Sequence, residues 1–288
     1  MASDNRFAVL IDADNVSVKY IKIILDEISK DGIATYKRIY GDWTNPSLIS
    51  WKSVLLDNSI NPIQQYSYTT GKNSTDSAMI IDAMDILYSG KVDGFCLVSS
   101  DSDFTRLAAR LRESGMTVIG MGESKTPNSF IAACNKFKYL DILSAADEEE
   151  PEETPAPKPE PAKKAAPQKK APQKKAAAAK KAKEEPKPEK EQKPEAKRQQ
   201  QEEIEEPRTS LRTIRRALRT IVRENSDEDD WIIIGKIGNL LDKRYPDFDV
   251  RNFGFSKLTP FLESLDMFEI RDMKKDGNSS PQKYVRLK

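Results

Sequence analysis

Four aspartates stand where apolar runs of the sequence end or where an amphipathic segment begins. Asp12 closes the run FAVLID, Asp101 and Asp103 follow the run FCLV, and Asp76 opens an amphipathic segment. Two carboxylates this close together repel, and each raises the pKa of the other. A helix start or a bound cation could offset that cost.

Carboxylates grouped in this way suit hard divalent cations, because Mg²⁺ prefers oxygen ligands in octahedral geometry. Two such ions about 3.5–4 Å apart would hold a phosphodiester for in-line attack by water. The chain contains no histidine, which excludes Ser-His-Asp, Cys-His and His-based zinc sites. The pattern predicts a site whose metal ligands and catalytic residues are Asp12, Asp76, Asp101 and Asp103. For any one of them alone, helix capping or a place near a helix dipole is an open alternative.

The elements that must position these aspartates alternate between apolar strands and amphipathic helices. This alternation predicts parallel βαβ units and an α/β fold with a doubly wound, Rossmann-like sheet. Such sheets bind ligands at the carboxyl ends of their strands. The predicted strands are residues 7–12, 35–40, 61–66, 94–100 and 117–122, and the predicted helices are residues 16–30, 46–58, 75–90 and 103–115.

Residues 146–206 are predicted to be a disordered linker between residues 1–145 and residues 207–288. Within it, residues 151–200 contain only Pro, Glu, Thr, Ala, Lys, Gln and Arg. With no aromatic residue and no aliphatic residue larger than alanine, there is too little apolar surface to offset the entropy of ordering. Its many lysines would attract phosphate groups. The alternative, a solubilising tether without a ligand, is left open.

Residues 207–288 are predicted to form three helices and a two-stranded ribbon, the pattern of a small winged-helix module. A helical projection of residues 208–224 separates two faces. An apolar face, predicted as core, contains Leu211, Ile214, Leu218, Ile221 and Val222. A basic face, either solvated or phosphate-binding, contains Arg208, Arg212, Arg215, Arg216, Arg219 and Arg223.

Composition predicts a soluble, cytoplasmic protein. Cys96 and Cys134 have no metal-ligand spacing and are predicted to be buried thiols in a reducing compartment. No secretory signal and no apolar run of transmembrane length is recognisable in the sequence, so no membrane association is expected.

Residues 6–143 resemble a known family. The segments VLIDADN, GKNSTDSAMIIDAMD and LVSSDSDFTRLAARLRESGMTVIG together resemble the NYN domain, in particular its bacterial LabA-like branch. The resemblance implies a PIN-like fold and a metal-dependent ribonuclease that uses Mg²⁺ or Mn²⁺. Asp12 matches the first-strand aspartate, Asp76 the aspartate of the Gly-Lys loop, and Asp101 and Asp103 the pair in the Ser-x-Asp-Ser-Asp-Phe motif. Two departures are Ser100 in place of the usual glycine and a GKNSTD loop one residue longer than the common GKGVD.

Two further residues near these motifs are candidate RNA contacts. Asn15 follows the first-strand aspartate, and Lys72 lies in the Gly-Lys loop. Lys72 could contact a phosphate or could simply be an exposed loop lysine, and both alternatives are left open.

The segment WIIIGKIGNLLDKRYPDFDVRNFGFSKLTPFLESLDMFEI resembles the OST-HTH domain, also called LOTUS. The resemblance implies a winged helix that binds RNA in some relatives and protein helicases in others. The aromatic residues Trp231, Phe248, Phe253 and Phe255 are predicted as core, with base stacking as the alternative. The candidate RNA contacts are Lys236, Arg251, Lys257, Lys274 and Lys275.

Taken together, these patterns predict a divalent-metal-dependent endoribonuclease to which the winged helix and the basic linker deliver RNA. One alternative is a non-catalytic RNA-binding regulator. Another is a phosphohydrolase that forms an aspartyl-phosphate on Asp12, because DADN resembles the Asp-x-Asp motif of haloacid-dehalogenase-type enzymes. A protein partner of the winged helix is an open prediction, and the sequence does not specify an oligomeric state.

Overall fold

The first apolar run of the chain forms a central strand of a parallel sheet. Six strands are hydrogen-bonded in the order β3-β2-β1-β4-β5-β6, and all neighbouring pairs are parallel. The order reverses between β1 and β4, which makes this point the topological switch where such sheets bind ligands. The strands are β1 Arg6–Asp12, β2 Ile33–Gly41, β3 Asn61–Gln64, β4 Gly94–Val98, β5 Thr117–Gly122 and β6 Lys136–Tyr139.

Helices cover both faces of this sheet, because successive side chains of a buried strand point to opposite sides. In β1, Phe7, Val9 and Ile11 pack in one core cluster with α1, α2 and α6. Ala8 and Leu10 pack in the other cluster with α3, α4 and α5. The helices are α1 Ile21–Asp31, α2 Trp51–Asp57, α3 Ser74–Ser89, α4 Thr105–Glu113, α5 Asn128–Ala133 and α6 Leu140–Glu149.

The predicted doubly wound α/β sheet is confirmed. The prediction did not include the elements at one edge of it. The five predicted strands and four predicted helices are all present, whereas β6, α5 and α6 were not predicted. Gly90 and Gly115 follow α3 and α4 with φ of 65° and 81°, as helix C-terminal glycines do. Both predicted thiols, Cys96 and Cys134, are free and buried.

The C-terminal part contains three helices and a small antiparallel sheet of order β7-β9-β8. The helices share one core, in which Phe261 contacts three other phenylalanine rings. The short strand β7 was not predicted and adds a third strand to the expected ribbon. The elements are α7 Leu211–Asn225, β7 Ile232–Ile233, α8 Ile234–Arg244, α9 Leu258–Ser264, β8 Phe268–Met273 and β9 Gln282–Leu287.

This computed structural model describes residues 5–66, 74–149, 209–274 and 281–288. All of them belong to one compact unit. The predicted linker lies outside the described residues from residue 150 onward, and α6 runs through the first residues of that segment to Glu149.

Candidate metal centre and nucleic-acid interface

The predicted aspartates come from three elements that meet at the switch point of the sheet. Asp12 ends β1, and Ile11 of that strand pairs with Val98 at the end of β4. The chain leaves β4 through a tight turn that contains Asp101. Helix α3 packs on the same side of the sheet as Ala8 and Leu10, and its first turn contains Asp76.

Three of the four aspartates form a compact carboxylate group. Asp76, Asp101 and Asp103 each offer a carboxylate oxygen within 4.8 Å of the others. Asp76 and Asp101 are partly buried and Asp103 is exposed, so the group is open to solvent on one side. All-oxygen ligands that remain accessible suit a hard divalent cation that keeps some of its water.

Asp12 differs from this group because it lies in the interior, with a side chain that is 0% exposed. It accepts hydrogen bonds from the Asp14 amide at 3.0 Å, from Asn15 Nδ2 at 2.8 Å and from Ser99 Oγ at 2.8 Å. The charge of Asp12 raises the pKa of Asp76, but Asp12 is not one of the three carboxylates that converge.

Ser99 joins the two strand ends and was missed by the sequence analysis. Its buried hydroxyl donates to Asp12 and accepts from the Asp101 amide at 3.1 Å. A polar side chain directly after the fully buried strand β4 was the only signal in the sequence that pointed to it.

The turn after β4 explains how paired aspartates are tolerated there. Asp101 is the N-cap of the short helical turn Ser102–Phe104, and its Oδ1 accepts the Asp103 amide at 2.9 Å. The capping alternative and the cation alternative thus apply to the same residue, because one oxygen caps the turn and the carboxylate also belongs to the acidic group.

The predicted basic face of α7 is exposed. Ile214, Leu218, Ile221 and Val222 are buried as predicted, whereas Leu211 is 41% exposed because it begins the helix, where less of the core reaches it. On the adjacent side of the helix the arginines are exposed, and none forms an ion pair with a residue in the described ranges, although Arg215 Nη2 donates to the Leu265 carbonyl oxygen at 3.4 Å. They are Arg212, Arg215, Arg216, Arg219 and Arg223. Arg208 lies outside the described residues.

Two family matches coincide with these two regions. Residues 6–141 match the NYN domain family, and residues 208–279 match the OST-HTH/LOTUS domain family. The chain carries an NYN domain followed by an OST-HTH/LOTUS domain. The NYN domain is a PIN-like nuclease domain and the OST-HTH/LOTUS domain is RNA-associated, so the pair supports a nuclease or RNA-associated role.

Among solved structures, the chain is similar to a crystal structure of a protein of unknown function from Vibrio parahaemolyticus. The two share 18% identity with a TM-score of 0.42, over 49% of this chain and 96% of that one. No curated protein matches the chain significantly. None of the helices in the described ranges has the length and apolar composition that crossing a bilayer would require.

The NYN domain concentrates negative charge at its acidic group. Burial raises the pKa of Asp76, and the charges of Asp12, Asp101, Asp103 and Asp14 raise it further, to about 6. Burial also raises the pKa of Asp12, against its three hydrogen bonds. The charges that raise the pKa of Asp76 belong to carboxylates, so a bound cation would offset their repulsion.

Replacing Asp76 by asparagine should stabilise the metal-free protein by about 1 kcal/mol near neutral pH. The folded state holds the Asp76 proton more tightly than the unfolded state, since its pKa is about 6 instead of 3.8. The ionised carboxylate therefore costs stability above about pH 6, and this cost disappears as the pH falls through that range toward 4. Thermal unfolding in EDTA should show the advantage of the variant at about pH 7.5 and little of it near pH 4.5.

Added Mg²⁺ supplies the control for this measurement. It should raise the melting temperature of the original chain more than that of Asp76→Asn, because only the original chain retains the complete acidic group. If the difference in melting temperature between the two proteins were the same at every pH, the ionisation of Asp76 would not be the cause of the difference in stability.

Asp82 connects α3 to strand β2 of the sheet. The sequence predicted that it faces away from Asp76, as a solvated group or one that assists the site indirectly. In the structure, Arg38 and the Tyr40 hydroxyl, both on β2, donate to its carboxylate. This network ties α3 to the sheet six residues after Asp76.

Of the two remaining predicted RNA contacts in the NYN domain, the structure describes only Asn15. Asn15 is exposed, although its amide nitrogen donates to Asp12. Lys72 lies outside the described residues, so its proposed phosphate contact stays a prediction.

In the OST-HTH/LOTUS domain, the predicted lysines and the predicted arginine differ in solvent exposure and in ion pairing. Lys236, Lys257 and Lys274 are exposed, and Lys275 lies outside the described ranges. Arg251 is partly buried, and Glu27 and Asp249 occupy its guanidinium. Trp231 is only 7% exposed, and Phe248, Phe253 and Phe255 pack against the core as predicted.

Proposed function

We propose that the chain is a divalent-metal-dependent endoribonuclease that uses Mg²⁺ or Mn²⁺. The observation that supports this most directly is the convergence of Asp76, Asp101 and Asp103 within 4.8 Å at the switch point of a PIN-like sheet. Their oxygens fit a hard cation, and the neighbouring charges that raise the pKa of Asp76 are carboxylates. These three residues would hold the ion.

When bound, a divalent cation would polarise the phosphodiester and lower the pKa of the water that attacks it. The contribution of the protein to the reaction is to position the carboxylates that would hold the ion. Ser99 links Asp12 to the turn that presents Asp101, and α3 presents Asp76 from the other side. Hydrolysis forms a bond between the water oxygen and phosphorus and breaks the bond from phosphorus to one ribose oxygen, which takes up a proton.

RNA would be recruited by the OST-HTH/LOTUS domain. Five exposed arginines on α7 give a continuous positive face, and Lys236, Lys257 and Lys274 extend the positive surface of the same domain. Phosphate contacts of this kind give affinity without sequence selectivity. The basic linker belongs to the same proposal, as does a cytoplasmic location, which the two buried free thiols favour.

Two other functions use parts of the same surfaces. A non-catalytic RNA-binding regulator would need only the positive face. A phosphohydrolase that forms an aspartyl-phosphate would need an accessible Asp12, and the complete burial of Asp12 with three hydrogen-bond donors disfavours that chemistry.

Cleavage assays with and without metal separate the nuclease from the regulator. The purified chain should cut labelled single-stranded and hairpin RNA with Mg²⁺ or Mn²⁺, lose this activity in EDTA, and regain it when excess metal is returned. RNA that is bound but uncut under every metal condition would replace the nuclease with the regulator. Cleavage that persists in EDTA would show that a metal ion held by the acidic group is not needed for the reaction.

A further inference from the structure

Glu27 is a charged residue on a helix face that is otherwise apolar. It lies on α1 beside Ile23, Ile24 and Ile28, and its side chain is only 4% exposed. Burying a carboxylate is costly unless it is paired and hydrogen-bonded. Arg251 of the OST-HTH/LOTUS domain pairs with both of its oxygens, with Nη1 at 2.6 Å from Oε1 and Nη2 at 2.9 Å from Oε2.

This pair belongs to a network of four charged side chains. Lys138 Nζ lies 3.1 Å from Asp249 Oδ2 and 3.5 Å from Glu27 Oε2, and Arg251 also binds Asp249 at 2.7 Å. Each domain supplies one acid and one base to these four, and Lys30 of α1 adds a fifth charge beside Glu27. Burial alone would raise the pKa of both carboxyls, but the Arg251 hydrogen bonds and Lys138, together with Lys30 at Glu27, hold both pKa values at about 2.

The backbone of β6 takes part in the same contact. The amide of Phe137 in this edge strand donates to the carbonyl oxygen of Pro246 at 2.7 Å. Tyr139 Oη donates to Asp247 Oδ2 at 3.3 Å, and Thr209 donates to the other oxygen of that carboxylate. Asp247 is only 5% exposed, so its buried carboxylate is satisfied by one donor from each domain.

We propose that α1 and β6 of the NYN domain form a docking site for the OST-HTH/LOTUS domain of the same chain. The complementary ion pairs and the strand-edge hydrogen bond together specify one orientation. Arg251 then serves in docking and is not available to a phosphate. If the proposed ribonuclease function holds, docking also keeps the arginine face of α7 in a fixed relation to the acidic group.

Hydrogen exchange on the full chain tests the docking without reference to catalysis. The Phe137 amide should be protected in the original chain and should exchange at least about 30-fold faster in Arg251→Met, which leaves the partners of a buried ion pair uncompensated. The helical amides of α7 should stay protected in both proteins, which would show that the OST-HTH/LOTUS domain is still folded.

Lys30→Gln is the matched control. Lys30 also binds Glu27, but it lies on the same helix and its side chain is 60% exposed. Its loss removes one cation from the same carboxylate without breaking a contact between domains, so the exchange of the Phe137 amide should hardly change. An unprotected Phe137 amide in the original chain, or equal effects of the two substitutions, would overturn the proposal.

A cleavable linker separates docking within one chain from docking between two chains. A protease site inserted between residues 175 and 176 would allow the folded protein to be cut. The two fragments should then co-elute in size-exclusion chromatography, and they should separate when Arg251→Met is present. Uncut chains with different labels should not form mixed complexes. Separation of the fragments of the original chain, or mixed complexes held by this contact, would contradict docking in cis.

Discussion

Replacing Asp101 by asparagine should lower the rate of metal-dependent RNA cleavage at least about 100-fold. Residues that only support a metal ligand already cost 10- to 100-fold when they are lost, and Asp101 is proposed as a ligand itself. Asparagine keeps an oxygen that can accept the Asp103 amide, so the N-cap and the turn should persist. The loss would therefore report on charge at the site and not on folding.

Asp85→Asn is the matched control for this experiment. Asp85 is an exposed aspartate on α3, the helix that presents Asp76, but it is not a member of the acidic group. It should leave the cleavage rate nearly unchanged, and both variants should bind RNA with the affinity of the original chain. If Asp101→Asn cut RNA at the original rate, the carboxylate group would not be the catalytic site.

Replacing Arg212, Arg216 and Arg219 together by alanine should weaken RNA binding about 100-fold at 0.1 M salt. Each contact to a single-stranded phosphate contributes about 0.7 to the slope of log K against log salt. Three lost contacts thus reduce the slope by about 2, which amounts to about two decades of affinity between 1 M and 0.1 M salt. Alanine is the best helix former, so α7 should remain intact.

The matched control removes the same charge from another surface. Lys22, Lys52 and Arg106 are exposed residues of the NYN domain, and the triple alanine variant loses the same three positive charges. A filter-binding titration across salt concentrations should leave the slope of this control nearly unchanged. An equal loss in both triple variants would mean that net charge, and not the face of α7, determines binding.

The sequence predicted the elements that are long and strongly patterned. The short apolar runs around Leu10 and Leu97, which alternate with amphipathic segments, favoured buried strands, and the 3.6-residue period of α7 separated its two faces. Strand β6 has four residues, and β7 has two. Segments this short carry too little periodicity to be distinguished from loops.

The candidate site was predictable in composition but not in its internal arrangement. Strand-end positions for Asp12, Asp101 and Asp103, and a helix start for Asp76, indicated that the four lie at one edge, but not that Asp12 would be enclosed by donors. One of these donors, Ser99, is 87 residues from Asp12 in sequence, and a local pattern does not show which distant residues converge.

The same limit applies to charged residues with distant partners. Asp82 meets Arg38 across 44 residues, and Arg251 meets Glu27 across 224. In the sequence, Arg251 looked like any other basic residue of an RNA-associated domain. Its pairing depends on tertiary contacts that local pattern cannot reveal.

The hydrogen bond between Phe137 and Pro246 has a practical consequence for work on separate fragments. Exposed edge strands with open backbone groups are templates for pairing with other chains, and native proteins commonly cover them with a loop. In this protein the loop that covers β6 comes from the C-terminal domain. A truncated protein that ends after α6 would uncover that edge, so self-association and low solubility of such a fragment would be a property of the cut and not of the NYN domain.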